Sequence, residues 1–174
     1  MKKFGSLIVF LLTLPFILSF GLMKELDKKV DREIKDEFEV ANYLHEGIEV
    51  SAEIQQELPS RVSKDNFFRL KHEGSLLGYV YLDHAPSKTA QFDYLVIFNE
   101  DLSIARTKVL VYREEYGGEI GSRRWLRQFT GKSKASDLNH IAAISGATIS
   151  VRSMKKAMKD ILESVEILQK NNLI

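Results

Sequence analysis

Residues 67–112 read FFRLKHEGSLLGYVYLDHAPSKTAQFDYLVIFNEDLSIARTKVLVY, and this stretch decides the fold. It divides into four runs rich in β-branched and aromatic residues: Phe67 to Lys71, Leu76 to Asp83 with Tyr79-Val80-Tyr81 inside it, Gln91 to Phe98, and Leu102 to Tyr112. The breaks between them, Glu73-Gly74-Ser75, Pro86-Ser87-Lys88 and Asn99-Glu100-Asp101, are short and made of turn formers. Side chains of this type fit a pleated surface, and connections this short join neighbouring antiparallel strands. The expectation is an antiparallel meander.

Downstream, Glu114 to Gly121 is a loop with three glycines, and Ser122 to Phe129 reads as a short helix carrying the single Trp125. Gly131 to Asn139 is a polar loop, and His140 to Ile144 reads as a short strand. A long helix is expected from about Ser150 to Gln169. Its apolar face is Met154, Ala157, Met158, Ile161, Leu162, Val165 and Leu168, at helical spacing. Upstream, Leu26, Val30, Ile34 and Phe38 recur every fourth residue in the charged stretch from Lys24 to about Leu44. They form one helical stripe, on a helix that either packs on the domain or stands as a stalk. Glu46-Gly47 and Leu58-Pro59-Ser60 are breaks. The fold class is α+β: an antiparallel sheet packed with helices and closed by a C-terminal amphipathic helix.

Met1-Lys2-Lys3 precedes an uncharged apolar run from Leu7 to Met23. Its length suits a short membrane span or a long signal core. The two lysines favour a cytoplasmic start and export of the remainder. No Ala-x-Ala site and no lipobox Cys follow, which favours a retained anchor over a cleaved signal; cleavage would release the domain into the periplasm. The expected organisation is an anchor or signal segment over 1–23, a helical stalk or linker over 24–60, and a single domain over 61–174. With no Cys, the chain has no disulfide, no Cys-ligated cluster, no c-type haem attachment and no thiol chemistry. A net charge of +1 gives no reason to expect nucleic acid. His45, His72, His84 and His140 lack ligand spacing, so no metal site is expected. There is no nucleophile–base–acid constellation, and no Gly-rich nucleotide motif after a strand that would suit direct use of NADH.

The stretch that carries chemistry is Ala143-Ile144-Ser145-Gly146-Ala147-Thr148-Ile149-Ser150-Val151. Gly146 and Ala147 permit close backbone approach, and Ser150 is a plausible N-cap. A helix start presents free N–H groups and positive partial charge to a phosphate, and Thr148 would set a hydroxyl beside it. On these residues alone the segment reads first as an ordinary capped turn, since small residues before a helix are common.

Ser145-Gly146-Ala147-Thr148, followed by Ile149-Ser150 and a helix, resembles the flavinylation motif of the FMN-binding domain family. That family includes flavin-carrying components of the sodium-pumping NADH:quinone reductase and of the Rnf electron-transport complex. The resemblance implies FMN held by a phosphoester to Thr148 and installed by a flavin transferase that uses FAD and Mg²⁺. It spans about residues 66–169. A looser likeness is the acidic, Gly-bearing loop that lies against the flavin in the family. Glu114 to Gly121 occupies that place here, with Glu115, Gly117 and Gly118 carried over, though the Thr and Pro of the family pattern are missing. Ala142 stands where the family usually has Asp. Further expectations are that Tyr116 and Trp125 flank the ring and that Arg123, Arg124 or Arg152 balances the phosphate. The implied function is a membrane-tethered, extracytoplasmic electron-transfer flavoprotein that serves a membrane redox partner and is no stand-alone enzyme. The alternative, kept open by Ala142, is a non-redox anchored module that lacks flavin or binds it reversibly.

Overall fold

The structure, a computed structural model, describes residues 27–174. The anchor expected over 1–23 lies outside the described residues. Among the described residues no helix is long and apolar enough to cross a membrane. Five strands form one antiparallel sheet in sequence order. They are β1 (Leu44–Gly47), β2 (Phe67–His72), β3 (Ser75–Pro86), β4 (Gln91–Asn99) and β5 (Ile104–Val111). The meander over 67–112 is therefore present, with strand ends close to expectation. The differences are at β3, which runs three residues past Asp83 and takes in Pro86 from the expected loop, paired with Gln91, and at β5, where Leu102 takes a left-handed conformation (φ 65°) and belongs to the turn, so the strand starts at Ile104.

Helices cover both faces of the sheet, and a short α3 (Arg123–Leu126) follows β5. On the front, α4 (Thr148–Lys170) lays Met154, Met158, Ile161, Leu162, Val165 and Leu168 against Phe67, Tyr81, Tyr94, Val96 and Phe98. On the back, α1 (27–38) sets Ile34 among Leu70, Val80, Leu95, Ile97 and Leu110, with Val30 and Phe38 beside it. Val30, Ile34 and Phe38 of the stripe read from the sequence are thus a packing face, and the helix over 27–38 does not stand free; Leu26 lies outside the described residues. Arg106 and Lys108, on the back of β5, pair with Glu33 and Glu37 of α1. The guanidinium and ammonium hold the Glu33 carboxyl below the usual range against the opposing effect of burial, which is the largest single influence on it.

Before β2 the chain differs from the sequence reading in two places. The helix expected to reach Leu44 stops at residue 38, Glu39 turns left-handed (φ 54°), and Leu44 enters β1. All four residues of β1 are exposed, so no apolar periodicity announces it; pairing of Leu44 with Lys71 and His45 with Leu70 creates it. A short helix, α2 (Ala52–Glu57), has no counterpart in the sequence reading; Ser51 caps it by accepting the Ile54 N–H. Beyond α2 the chain crosses α4, where the Ser60 N–H donates to Ser164 Oγ at 2.9 Å. Ser164 Oγ in turn donates to the Asp160 carbonyl at 2.8 Å.

That clip is buried on both sides, with Ser60 8% and Ser164 0% exposed. Removing the hydroxyl strands a buried N–H, which costs about 1–3 kcal/mol. Ser164→Ala should lower the urea midpoint accordingly with an unchanged slope; a midpoint equal to wild type would show that water replaces the clip.

Candidate functional site

The Thr148 region is assembled from two loops and the start of α4. Helix α4 begins at Thr148 itself, with Ala147 at the N-cap. The expectation of a Ser150 N-cap is corrected: Ser150 is the third residue of the helix and only 4% exposed. The first helical hydrogen bond runs from Val151 N–H to the Ala147 carbonyl at 2.9 Å. The amides of Thr148, Ile149 and Ser150 therefore precede the ladder, and Ala147 has no side-chain oxygen to cap them. An uncapped start on a helix of 23 residues leaves N–H groups and the positive helix end available to an anion.

The loop before α4 is not the strand expected over 140–144. Its backbone is held by side chains instead. Trp125 Nε1–H donates to the Ala142 carbonyl at 2.7 Å, the Ala142 N–H donates to Gln128 Oε1 at 2.9 Å, and Lys155 Nζ donates to the Ile141 carbonyl at 3.0 Å. The sheet edge it would have joined is taken at one end by residues 131–132, which exchange two hydrogen bonds with Ile104. The loop ends in a turn closed by the Ala147 N–H and the Ile144 carbonyl, with Gly146 at φ 85°, a left-handed position that favours glycine.

The Gly-bearing loop comes to the same place. Gly117 (φ 86°) lies against Ala147: a Cβ built on Gly117 would be 3.7 Å from Ala147 Cα and 2.7 Å from the Tyr112 hydroxyl. Tyr112 Oη lies 2.9 Å from the Tyr116 carbonyl and 3.0 Å from Ser150 Oγ. The two loops are thus joined through Tyr112, a residue that the sequence reading does not single out. Its signal was a tyrosine at the end of a strand, since a partly buried phenol needs hydrogen-bond partners.

The structure brings Gly117, Ala147 and Ser150 together, and leaves Ser145, Gly146, Thr148, Glu115 and Gly118 around them. Thr148 and Gly146 are exposed. Tyr116 and Ile149 are 81% and 47% exposed, unusual for large apolar side chains. Trp125 is 4% exposed and stacked edge-on with Phe129, so its indole anchors the Ala142 loop from within the core. Arg123, Arg124 and Arg152 are exposed, and Arg152 is one turn beyond Thr148 on α4. A cavity of about 720 Å³ lies elsewhere, between α1 and the back of the sheet, lined by Val30, Phe68, Leu70, Val80 and Leu82.

Glu114 fixes the base of the Gly-bearing loop. One oxygen accepts from Ser87 Oγ and Thr89 N–H at 2.6 Å each, from Ala90 N–H at 3.1 Å and from Thr89 Oγ1 at 3.3 Å. These donors, the Ser87 hydroxyl foremost, hold the carboxyl down at about 2.

The long helix of this α+β domain opens, uncapped, beside an exposed hydroxyl and two exposed apolar side chains, a geometry with room for an anion at the helix start. The comparisons with known proteins agree. Residues 89–163, which take in β4, β5, both loops and most of α4, match the FMN-binding domain family, in keeping with the resemblance of the motif. Among solved structures, the chain resembles NqrC of Shewanella oneidensis, with a TM-score of 0.50 and 20% identity over 62% of this chain and 59% of that one. At that identity the likeness speaks for the fold. No curated protein matches the chain.

Two outcomes follow. Because the folded Glu114 value lies below the unfolded one, its contribution is complete above about 4.5. It is lost as pH falls from there toward about 2. Glu114→Gln should therefore flatten the fall of Tm over that window and leave little pH dependence of its own; an unchanged acid limb would refute the assignment. Gly117→Ala meets both a left-handed backbone and the Tyr112 hydroxyl, and should cost about 1–3 kcal/mol in chemical denaturation, whereas Gly118→Ala, with only Tyr112 Cδ1 at 3.8 Å, should be mild.

Proposed function

We propose that this chain is a membrane-tethered, extracytoplasmic electron-transfer flavoprotein carrying FMN as a phosphoester on Thr148. The observation that carries the reading is the start of α4: an exposed Thr148 hydroxyl on a first turn whose amides have no cap. An attached phosphate would find those amides and the helix dipole, with Arg152 one turn along. Tyr116 and Ile149 offer apolar surface to a ring system. The residues present therefore fit the group. When bound, the flavin supplies the redox chemistry, accepting electrons in pairs and passing them singly. Attachment also suits a site this open, because an exposed surface retains a ring cofactor only weakly, and a tether keeps its local concentration high.

In the attachment, Thr148 Oγ loses its proton to a base of the transferase and replaces AMP on the flavin-side phosphorus of FAD. One oxygen–phosphorus bond forms as the pyrophosphate bond breaks. The 1–23 segment is the membrane tether in this reading, 24–60 connects it to the domain over 61–174, and the electron partner is a membrane redox protein. The packing of α1 on the sheet supports a domain carried close to its tether. Ala142 favours the alternative, an anchored module without bound electron carrier. Its side chain is exposed and both its backbone groups are bonded, so an acid at this position would leave the loop undisturbed.

Co-expression of the full chain with a flavin transferase decides between them. A fluorescent band is expected in denaturing gels, with the adduct on the Thr148 peptide in mass spectrometry, and no band in Thr148→Ala. A bare wild-type peptide beside an active transferase, or undiminished fluorescence in Thr148→Ala, would overturn the proposal. Yellow protein that loses its colour on denaturation would instead mark reversible binding.

A further inference from the structure

The Tyr112 hydroxyl joins the end of β5 and the Gly-bearing loop that follows it to the first turn of α4, far along the chain. A phenol has one proton. The Tyr116 carbonyl, 2.9 Å away, can only accept, so Tyr112 donates to it. That leaves the Ser150 hydroxyl as donor to Tyr112 Oη across 3.0 Å. Ser150 Oγ is thereby turned inward, toward the end of β5, and ties the first turn of α4 to it. The ring of Tyr112 is set by Phe92 on the neighbouring strand, with centroids 6.1 Å apart. The hydroxyl occupies the volume that any side chain at position 117 would need, since a Cβ there would approach within 2.7 Å.

We infer that Tyr112 is a positioning residue of the Thr148 site: its hydroxyl clamps the Gly-bearing loop, which carries Tyr116, onto the first turn of α4, which carries Thr148 and Ile149. The inference rests on the flavoprotein reading and adds a residue to it. The Tyr112 hydroxyl bonds Tyr116 and Ser150, and it acts on the site through them. Without the hydroxyl, the loop loses its hydrogen bond to the strand end while the ring contact with Phe92 stays.

The test uses the full chain co-expressed with a flavin transferase, as wild type, Tyr112→Phe, Ser150→Ala and the double variant. Amide exchange over residues 113–121 should quicken roughly two- to tenfold in Tyr112→Phe, the equivalent of one hydrogen bond. Iodide quenching of the attached flavin should rise and its midpoint potential move in the same variant. The double variant should add little to Tyr112→Phe, because both changes break the same chain of bonds. Should Tyr112→Phe fail to fold, Ser150→Ala carries the test, and the same rise in quenching is expected of it. Flavin attached in all variants with unchanged quenching and potential overturns the inference and leaves the flavoprotein reading intact, even if the loop exchanges faster. A wild type that carries no flavin overturns the flavoprotein reading, and the inference falls with it.

Discussion

The structure depends on the burial of β4 from both sides. Leu95, Val96, Ile97 and Phe98 are all fully buried, with alternate residues facing α4 and α1. A four-residue apolar run in an antiparallel strand cannot leave either face to water without exposing two large side chains, at about 1.5–3 kcal/mol each. Both helical layers are therefore required by one strand. α4 cannot satisfy this alone, because it covers only the Val96 and Phe98 face. α1 supplies the other face through Ile34, and the charges of Arg106 and Lys108 fix its register through Glu33 and Glu37.

With α4 seated on the front face by its Met and Leu side chains, the direction of its first turn follows. Ala147 is 3% exposed and Val151 4%, so this end of the helix is held in the core while Thr148 and Ile149 project outward. The two loops that meet there are supported differently. The Ala142 loop is held by Trp125, Gln128 and Lys155, side chains that satisfy backbone groups where no ladder is available. The Gly-bearing loop is held by Glu114 at its base and Tyr112 at its tip. Rigid support from both sides, with an open helix end between, is what a site on the protein surface needs to position a tethered group.

The site was legible in part, and the parts that escaped share a cause. Thr148 stood out through small residues before a helix start, and Gly117 through the likeness of its loop to the family's. Ser150 reads as a cap because the pattern of a serine before an apolar-periodic run has that meaning locally. Tertiary packing overrides it: the helix gains two residues at its start, and the serine hydroxyl finds Tyr112. The residues 140–144 look strand-like by composition, yet a strand needs a free edge beside it, and side chains take the backbone groups instead. Trp125 draws attention as an aromatic near the motif; its burial against Phe129 gives it a structural task in that loop.

The sequence by itself determined the meander, its turns, the amphipathic C-terminal helix and the hydroxyl at its mouth, because each is written in windows of a few residues where side-chain type and spacing act directly on the backbone. Only the tertiary structure decided that α1 lies on the back of the sheet, that exposed residues 44–47 become a strand, and that the start of α4 stays uncapped. Those outcomes turn on groups far apart in the chain, such as Tyr112 with Ser150 and Ser60 with Ser164. A hydrogen bond between such groups exists only once the sheet and helix have brought them within about 3 Å, and no local pattern records where the chain will return.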